Sequence, residues 1–322
     1  MGGRRHQASV PDLVSRARGG DPRSVGRLVS LVEDASPLLR EVMAELAPHA
    51  GRARVVGITG SPGVGKSTAT NALVGELRRA GKRVGVLAVD PSSPFSGGAL
   101  LGDRVRMQDH VLDPDVFIRS MASRGHLGGL SWSTPQAIRV LDAAGFDVIL
   151  VETVGVGQSE IEVAALADTT VVLLAPGMGD GIQAAKAGIL EIGDLYVINK
   201  ADRDGATTVR RELRAALSLA DRPADSWSRP ILMTNALNGD GIAEVVTTLE
   251  EHDAWLRSTG ALARRRTRRS REEVEAIALT ELRRKWSGLS AHAQLDRLAG
   301  EVADGHTDPY SAADRLLEAH LG

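Results

Sequence analysis

The stretch that decides the fold is RVVGITGSPGVGKSTATNALVGELRRA, residues 54–80. It opens on a short β-branched run, passes through Gly60-Ser61-Pro62-Gly63-Val64-Gly65-Lys66-Ser67-Thr68, and closes on a helix-length segment. The middle fits G-x-x-x-x-G-K-[ST], and strand before with helix after is the context that pattern requires. Glycines there let backbone N–H groups curl around phosphate oxygens, and the helix N-terminus adds partial positive charge. Lys66 is placed to neutralise β- and γ-phosphates, and the Ser67 hydroxyl to bind Mg²⁺. The pattern implies a nucleoside-triphosphate site.

Outward from this stretch the same texture repeats. Short apolar runs at 83–89, 116–119, 147–151, 169–175, 195–198 and 230–233 alternate with helix-length segments such as 183–191 and 242–256. Several runs are apolar throughout, as strands buried on both faces of a parallel sheet should be. The rhythm predicts an α/β fold: a doubly wound, mostly parallel sheet. Residues 90–115 and 123–133 form connections longer than plain linkers. Residues 1–50 read as a helical extension, with Val14, Val25, Leu28, Val29 and Val32 near helical spacing. Past residues 258–260 the alternation ends. Six residues, RRRTRR at 264–269, read as a solvated linker, and Val274, Ile277, Ala278, Leu282, Trp286 and Leu289 then form a heptad-like stripe. The expected parts are therefore 1–50, 51–257 and 258–322.

Composition narrows the chemistry. The chain has 322 residues, a net charge of −2 and no cysteine. Disulfides, thiolate metal sites and cysteine nucleophiles are excluded, and no global basic field points to nucleic acid or a membrane surface. The first twenty residues pair arginines with no apolar stretch behind them, and no run approaches the length of a membrane span, so the expectation is a soluble cytoplasmic protein. The histidines are scattered without metal-ligand spacing. Only five of the 39 basic Lys and Arg residues are lysine: Lys66, Lys82, Lys186, Lys200 and Lys285.

Two of those lysines fall in motifs. Asn199-Lys200-Ala201-Asp202 follows the apolar run LYVI and fits N-K-x-D. The Asp202 carboxylate can accept from guanine N1–H and the 2-amino group, neither of which adenine offers. Lys200 would lie along the base and Asn199 would brace the loops. After the next run, Asn235, Ala236 and Leu237 suit a loop offering backbone N–H to guanine O6. Two base-reading loops favour GTP over ATP. Between the motifs, Asp90 and Glu152 close predicted strands and are placed to hold Mg²⁺ directly or through water. Glu152-Thr153-Val154-Gly155 resembles a D-x-x-G switch with Glu for Asp. Val156 follows, where many small GTPases carry a water-orienting Gln, so Gln158, Asp103 and Arg104 are the alternatives for that task. The candidate catalytic set is Lys66, Asp103 and Glu152.

GSPGVGKST, VDPSSPFSGGALLGDR, SRGHLGGLS, ETVGVGQSE, PGMGDGIQAAKAGILEIGDL and NKAD, in unbroken order, resemble the MeaB/ArgK family of G3E-type GTPases. The resemblance runs from about Val55 to Glu250. It implies a GTP-hydrolysing chaperone of an adenosylcobalamin-dependent acyl-CoA mutase, such as methylmalonyl-CoA mutase, that gates cofactor loading and protects the mutase. It also implies Mg²⁺ held by Ser67, Asp90, Asp103 and Glu152, GTP or GDP as bound nucleotide, and cobalamin met only through the partner. The segment 177–188 would couple nucleotide state to the mutase, through Gly179, Asp180, Gln183 and Lys186; Gly181 stands where an acid is expected. A homodimer through the C-terminal helices suits the stripe from Val274, although that stripe could instead pack on its own GTPase domain.

Other functions remain to be separated. A kinase acting on a periplasmic amino-acid transport binding protein needs an acceptor site and a phosphotransfer base, and neither is identifiable. A metal-insertion GTPase usually carries Cys or His clusters, which are not visible. A signal-recognition type would want a Met-rich helical domain, and six methionines spread along the chain do not supply one.

Overall fold

A computed structural model of the chain describes residues 9–91, 110, 112–123, 133–153, 159–177, 188–219, 226–286 and 289–321. Its centre is a seven-stranded sheet made of β1 (Arg54–Thr59), β2 (Val84–Pro91), β3 (Val116–Ser123), β4 (Val148–Thr153), β5 (Thr169–Leu174), β6 (Leu195–Ile198) and β7 (Ile231–Met233). The order is β3-β2-β4-β1-β5-β6-β7 and every pairing is parallel, so "mostly parallel" sharpens to wholly parallel. β1 is central. It pairs Ile58 with Glu152 on one side and Thr59 with Val172 on the other. All strands therefore point their carboxyl ends to one edge, where the loops gather.

Alternate residues of each strand feed different layers. Val55, Leu87, Val89, Ile149 and Val151 join one buried core, and Val56, Ile58, Val86, Leu150 and Leu173 join the other. The first core is roofed by α1 (Val10–Arg18), α2 (Pro22–Glu33), α3 (Leu39–Leu46), α5 (Thr134–Ala143) and α6 (Ser159–Leu166). The second is roofed by α4 (Lys66–Arg79) and by a helix at Ile242–Ser258. Among the described residues up to 258 there follow a short helix α7 (Ile189–Ile192), α8 (Ala206–Ser218) and that helix, numbered α9, besides a 3-10 turn at Ala47–His49.

Local chemistry explains the N-terminal helices. Ser9 and Asp21 cap α1 and α2 by accepting backbone N–H bonds, and Pro22 occupies the first turn of α2, where no donor is lost. Val25, Leu28, Val29 and Val32 are buried. Asp142 at the end of α5 ties this layer down. Its carboxylate accepts the N–H groups of Gly51, Arg52 and Ala53 at 2.5, 3.0 and 2.9 Å.

The chain divides into two compact units, Met1–Ala263 and Arg264–Gly322. The second carries most of α10 (Ala261–Trp286), then α11 (Leu289–Ala303) and α12 (Pro309–Leu321). The arginine run 264–269 lies inside α10, not in a linker. Arginine is a good helix former, and Arg268 faces Glu272 one turn on at 3.9 Å. The helix expected at 183–191 falls mostly outside the described residues, with Ile189–Ile192 as its described part. No described helix is long and apolar enough to cross a membrane.

Candidate functional site

The site grows from the carboxyl end of β1. Gly60 takes φ 142°, and a Cβ there would lie 2.2 Å from the Leu173 carbonyl oxygen, so no other residue fits between β1 and β5. Gly65 takes φ 95°, and its Cβ would lie 2.6 Å from Asn199 Nδ2. These two glycines let the loop fold back tightly and start α4 at Lys66. Gly65 caps α4 without a side-chain bond, so no side chain competes for the first-turn N–H groups. That is the geometry of a phosphate cradle.

Two side chains of the first turn are buried and engaged. Lys66 Nζ donates to Gly60 O at 2.6 Å and to Ser61 O at 3.3 Å. Ser67 Oγ donates to Glu152 Oε1 at 2.7 Å, and Glu152 is fully buried. The pair places a hydroxyl and a carboxylate oxygen side by side beneath the loop, a donor set that suits a hard divalent cation such as Mg²⁺. Asp90 lies at the end of β2, one residue past the pairing of Val89 with Thr153. Its side chain, and all of Asp103, Arg104, Gly155, Val156 and Gln158, lie outside the described residues.

The second half of the site hangs on one side chain. Asn199, 3% exposed, donates from Nδ2 to Val64 O at 2.9 Å and accepts at Oδ1 from Ala236 N at 3.0 Å and Thr234 Oγ1 at 3.3 Å. It thus joins the phosphate loop to the loops after β6 and β7. Lys200 takes a left-handed φ of 58° and donates from Nζ to Gly63 O at 2.6 Å. Asp202 and Leu237 are exposed at the rim of these loops, Ala236 is buried and Asn235 half-buried. Pro62, Gly63 and Thr68 are exposed on the cradle, and Val64 is buried beneath it. The structure therefore brings the residues of 60–68, Glu152, Asn199, Lys200, Asp202 and 235–237 to one edge. Gly179, Asp180, Gly181, Gln183 and Lys186 lie outside the described residues.

One contributor lies outside every motif named above. Asp240 exchanges backbone bonds with Asn235, donating at 3.1 Å and accepting at 3.0 Å, and so shapes the loop carrying Ala236. The turn signal Asn238-Gly239-Asp240-Gly241 could have flagged it. Farther along α4, Arg78 donates to Asp113 Oδ2 at 2.8 Å and Asp115 Oδ2 at 2.9 Å, fastening the segment before β3 to this helix. The guanidinium holds the Asp113 carboxyl below its usual range, helped by the Asp115 backbone N–H.

An all-parallel sheet with this cradle and a second loop pair beside it defines a P-loop nucleotide-binding protein of the GTPase type. The sequence model of the family described as "Methylmalonyl Co-A mutase-associated GTPase MeaB" matches residues 25–290, and the chain belongs to that family. A protein of Pyrococcus horikoshii is 46% identical over 315 residues, spanning 97% of this chain and 99% of its own. The mouse protein named "Methylmalonic aciduria type A homolog, mitochondrial" is 40% identical over 268 residues, 82% of this chain and 65% of its own. A solved structure, that of a protein named "LAO/AO transport system kinase", superposes with a TM-score of 0.75 at 29% identity, covering 99% of this chain and all of that one.

Proposed function

We propose that this protein hydrolyses GTP as a chaperone of an adenosylcobalamin-dependent acyl-CoA mutase, gating cofactor loading and protecting the mutase. The observation that carries the nucleotide half is Asn199, which fixes the base-side loops and the phosphate loop as one body. The mutase half rests on the family description, with the mouse relative's name in support.

In this reading nucleotide entry exchanges internal bonds for external ones. Lys66 gives up the Gly60 and Ser61 carbonyls for β- and γ-phosphate oxygens. Ser67 and Glu152 part, and with Asp90 and Asp103 they would hold Mg²⁺ and its waters. The ion, when bound, offsets charge building on the phosphates. Glu152 sits on a strand beside β1, so its carboxylate stays in line with the cradle while loops move. At the other end Asp202 accepts from guanine N1–H and the 2-amino group. Each charge-assisted bond contributes about 1.5–3 kcal/mol, so the pair sets a guanine preference of roughly a hundredfold or more. Lys200 is already seated against the cradle, its stem in place to flank the base.

Asp202→Asn tests the base assignment. GTP affinity should fall about a hundredfold and xanthosine triphosphate should become the better ligand, read by competition binding; an unchanged preference would discard the role. The partner is tested by affinity capture from the native cell with a non-hydrolysable GTP analogue on the protein. Recovery of a cobalamin-dependent mutase supports the reading. The name of the superposed protein suggests a second reading, a kinase of a transport system. Recovery of a transport binding protein, phosphorylated on incubation with GTP, would replace the first reading with the second. We further propose that the protein acts in the cytoplasm and dimerises through the helices of Arg264–Gly322.

A further inference from the structure

At the amino ends of the strands, remote from the nucleotide edge, the described residues line an open cavity of about 370 Å³. That volume falls among pockets that take small ligands. Arg18 at the end of α1, His49, Arg52, Asp142, Phe146 and Asp147 are in its lining. Asp142 and Asp147 keep their charge, but their oxygens are already engaged by backbone donors. Asp142 is 8% exposed and already accepts three backbone N–H groups. Asp147 accepts the Arg83 N–H at 2.7 Å. Among the described residues, neither Arg18 nor Arg52 has a carboxylate within ion-pair distance. Elsewhere in the same unit, Arg54, Arg78, Arg83 and Arg119 all have one.

Arg18 and Arg52, both exposed, and the half-buried His49 line this open cavity together with the buried Phe146. Guanidinium forks match the oxygen spacing of a phosphate group and can bind it by paired charge-assisted hydrogen bonds. The backbone of Arg52 is held by Asp142, which fixes where its side chain leaves the main chain. We propose that this cavity is a second ligand site, taking a small phosphate-bearing anion between Arg18 and Arg52 with His49 in contact. The site is separate from the P-loop, since Arg52 and Asp147 precede β1 and β4 whereas that loop follows β1.

The test uses full-length protein saturated with GDP and Mg²⁺, so that the cradle is filled before inorganic phosphate is added. Calorimetry should show saturable millimolar binding, with a matching movement of the His49 ring resonances by NMR. The double variant R18Q/R52Q should lose affinity by about tenfold or more, as expected for losing charge-assisted bonds. Its GDP affinity should stay at the wild-type value, which also shows that it folds. A wild-type protein with no saturable response, or a double variant that binds phosphate as tightly, would overturn the proposal.

Discussion

Two sets of helices flank the sheet in sequence, and their apolar residues meet different fates. In α1 to α3, Val14, Val25, Leu28, Val29 and Val42 are buried in the same core as Val55, Leu87 and Val151 of the strands. Along α10, Val274 remains 67% exposed and Leu282 42% exposed. The cause is visible in the charges. The stripe of α2 is contiguous, and Asp142 pins the chain that follows the N-terminal helices. In α10 the apolar positions are interleaved with Arg271, Glu272, Glu273 and Glu275, and most of that stretch faces water. Helices of the first kind are stabilised by tertiary burial; a helix of the second kind leans on propensity and on pairs one turn apart.

The contrast can be broken by substitution. Leu28→Ala should cost about 2–5 kcal/mol, the range for deleting a buried leucine side chain, while Val274→Ala should stay within about 0.5 kcal/mol. Urea unfolding at a dilution where copies do not associate measures both, and similar costs would erase the distinction.

Ion pairs sharpen it on a smaller scale. Arg78→Ala, in the first unit, should cost about 1 kcal/mol at pH 7, since its partners are partly shielded. Asp113 has its carboxyl lowered in the folded state, so its contribution is present above the unfolded value of about 3.9 and fades as pH falls through the folded value. The gap between wild type and variant should therefore begin to narrow near pH 4 and close only once Asp113 is protonated in the folded protein. The smallest effect belongs to the second unit. Arg315 and Arg297, both exposed, hold the half-buried Glu301 below its usual carboxyl range. Arg315→Ala should produce a slight loss in thermal midpoint that disappears at high salt, because solvent screens such pairs.

The legibility of the chain follows the same division. Strands buried on both faces are continuous apolar runs, so 54–59 and 195–198 can be located to the residue. The motifs are legible because they sit where those runs end, and a phosphate loop needs that junction. Contacts closed only by folding are not legible. Nothing near Asp142 in sequence announces that it will cap Gly51 to Ala53, some 90 residues away. The helical state of 264–269 is hidden because dense charge suits a solvated linker, although arginine favours helix as readily as it favours water. The pairing of Ser67 with Glu152 follows from neither motif alone, since it depends on β4 lying beside β1.

Asn199 has a consequence for how the protein is born. The cradle at 60–67 leaves the ribosome early, but the side chain that secures Val64, and Ala236, which secures that side chain, come much later. At about 5–20 residues per second, translation from the cradle to Ala236 takes roughly 10–30 s. A nascent chain therefore carries its phosphate motif for that interval without the clasp, and a nucleotide-ready pocket arises only when the last strands of the sheet have been made.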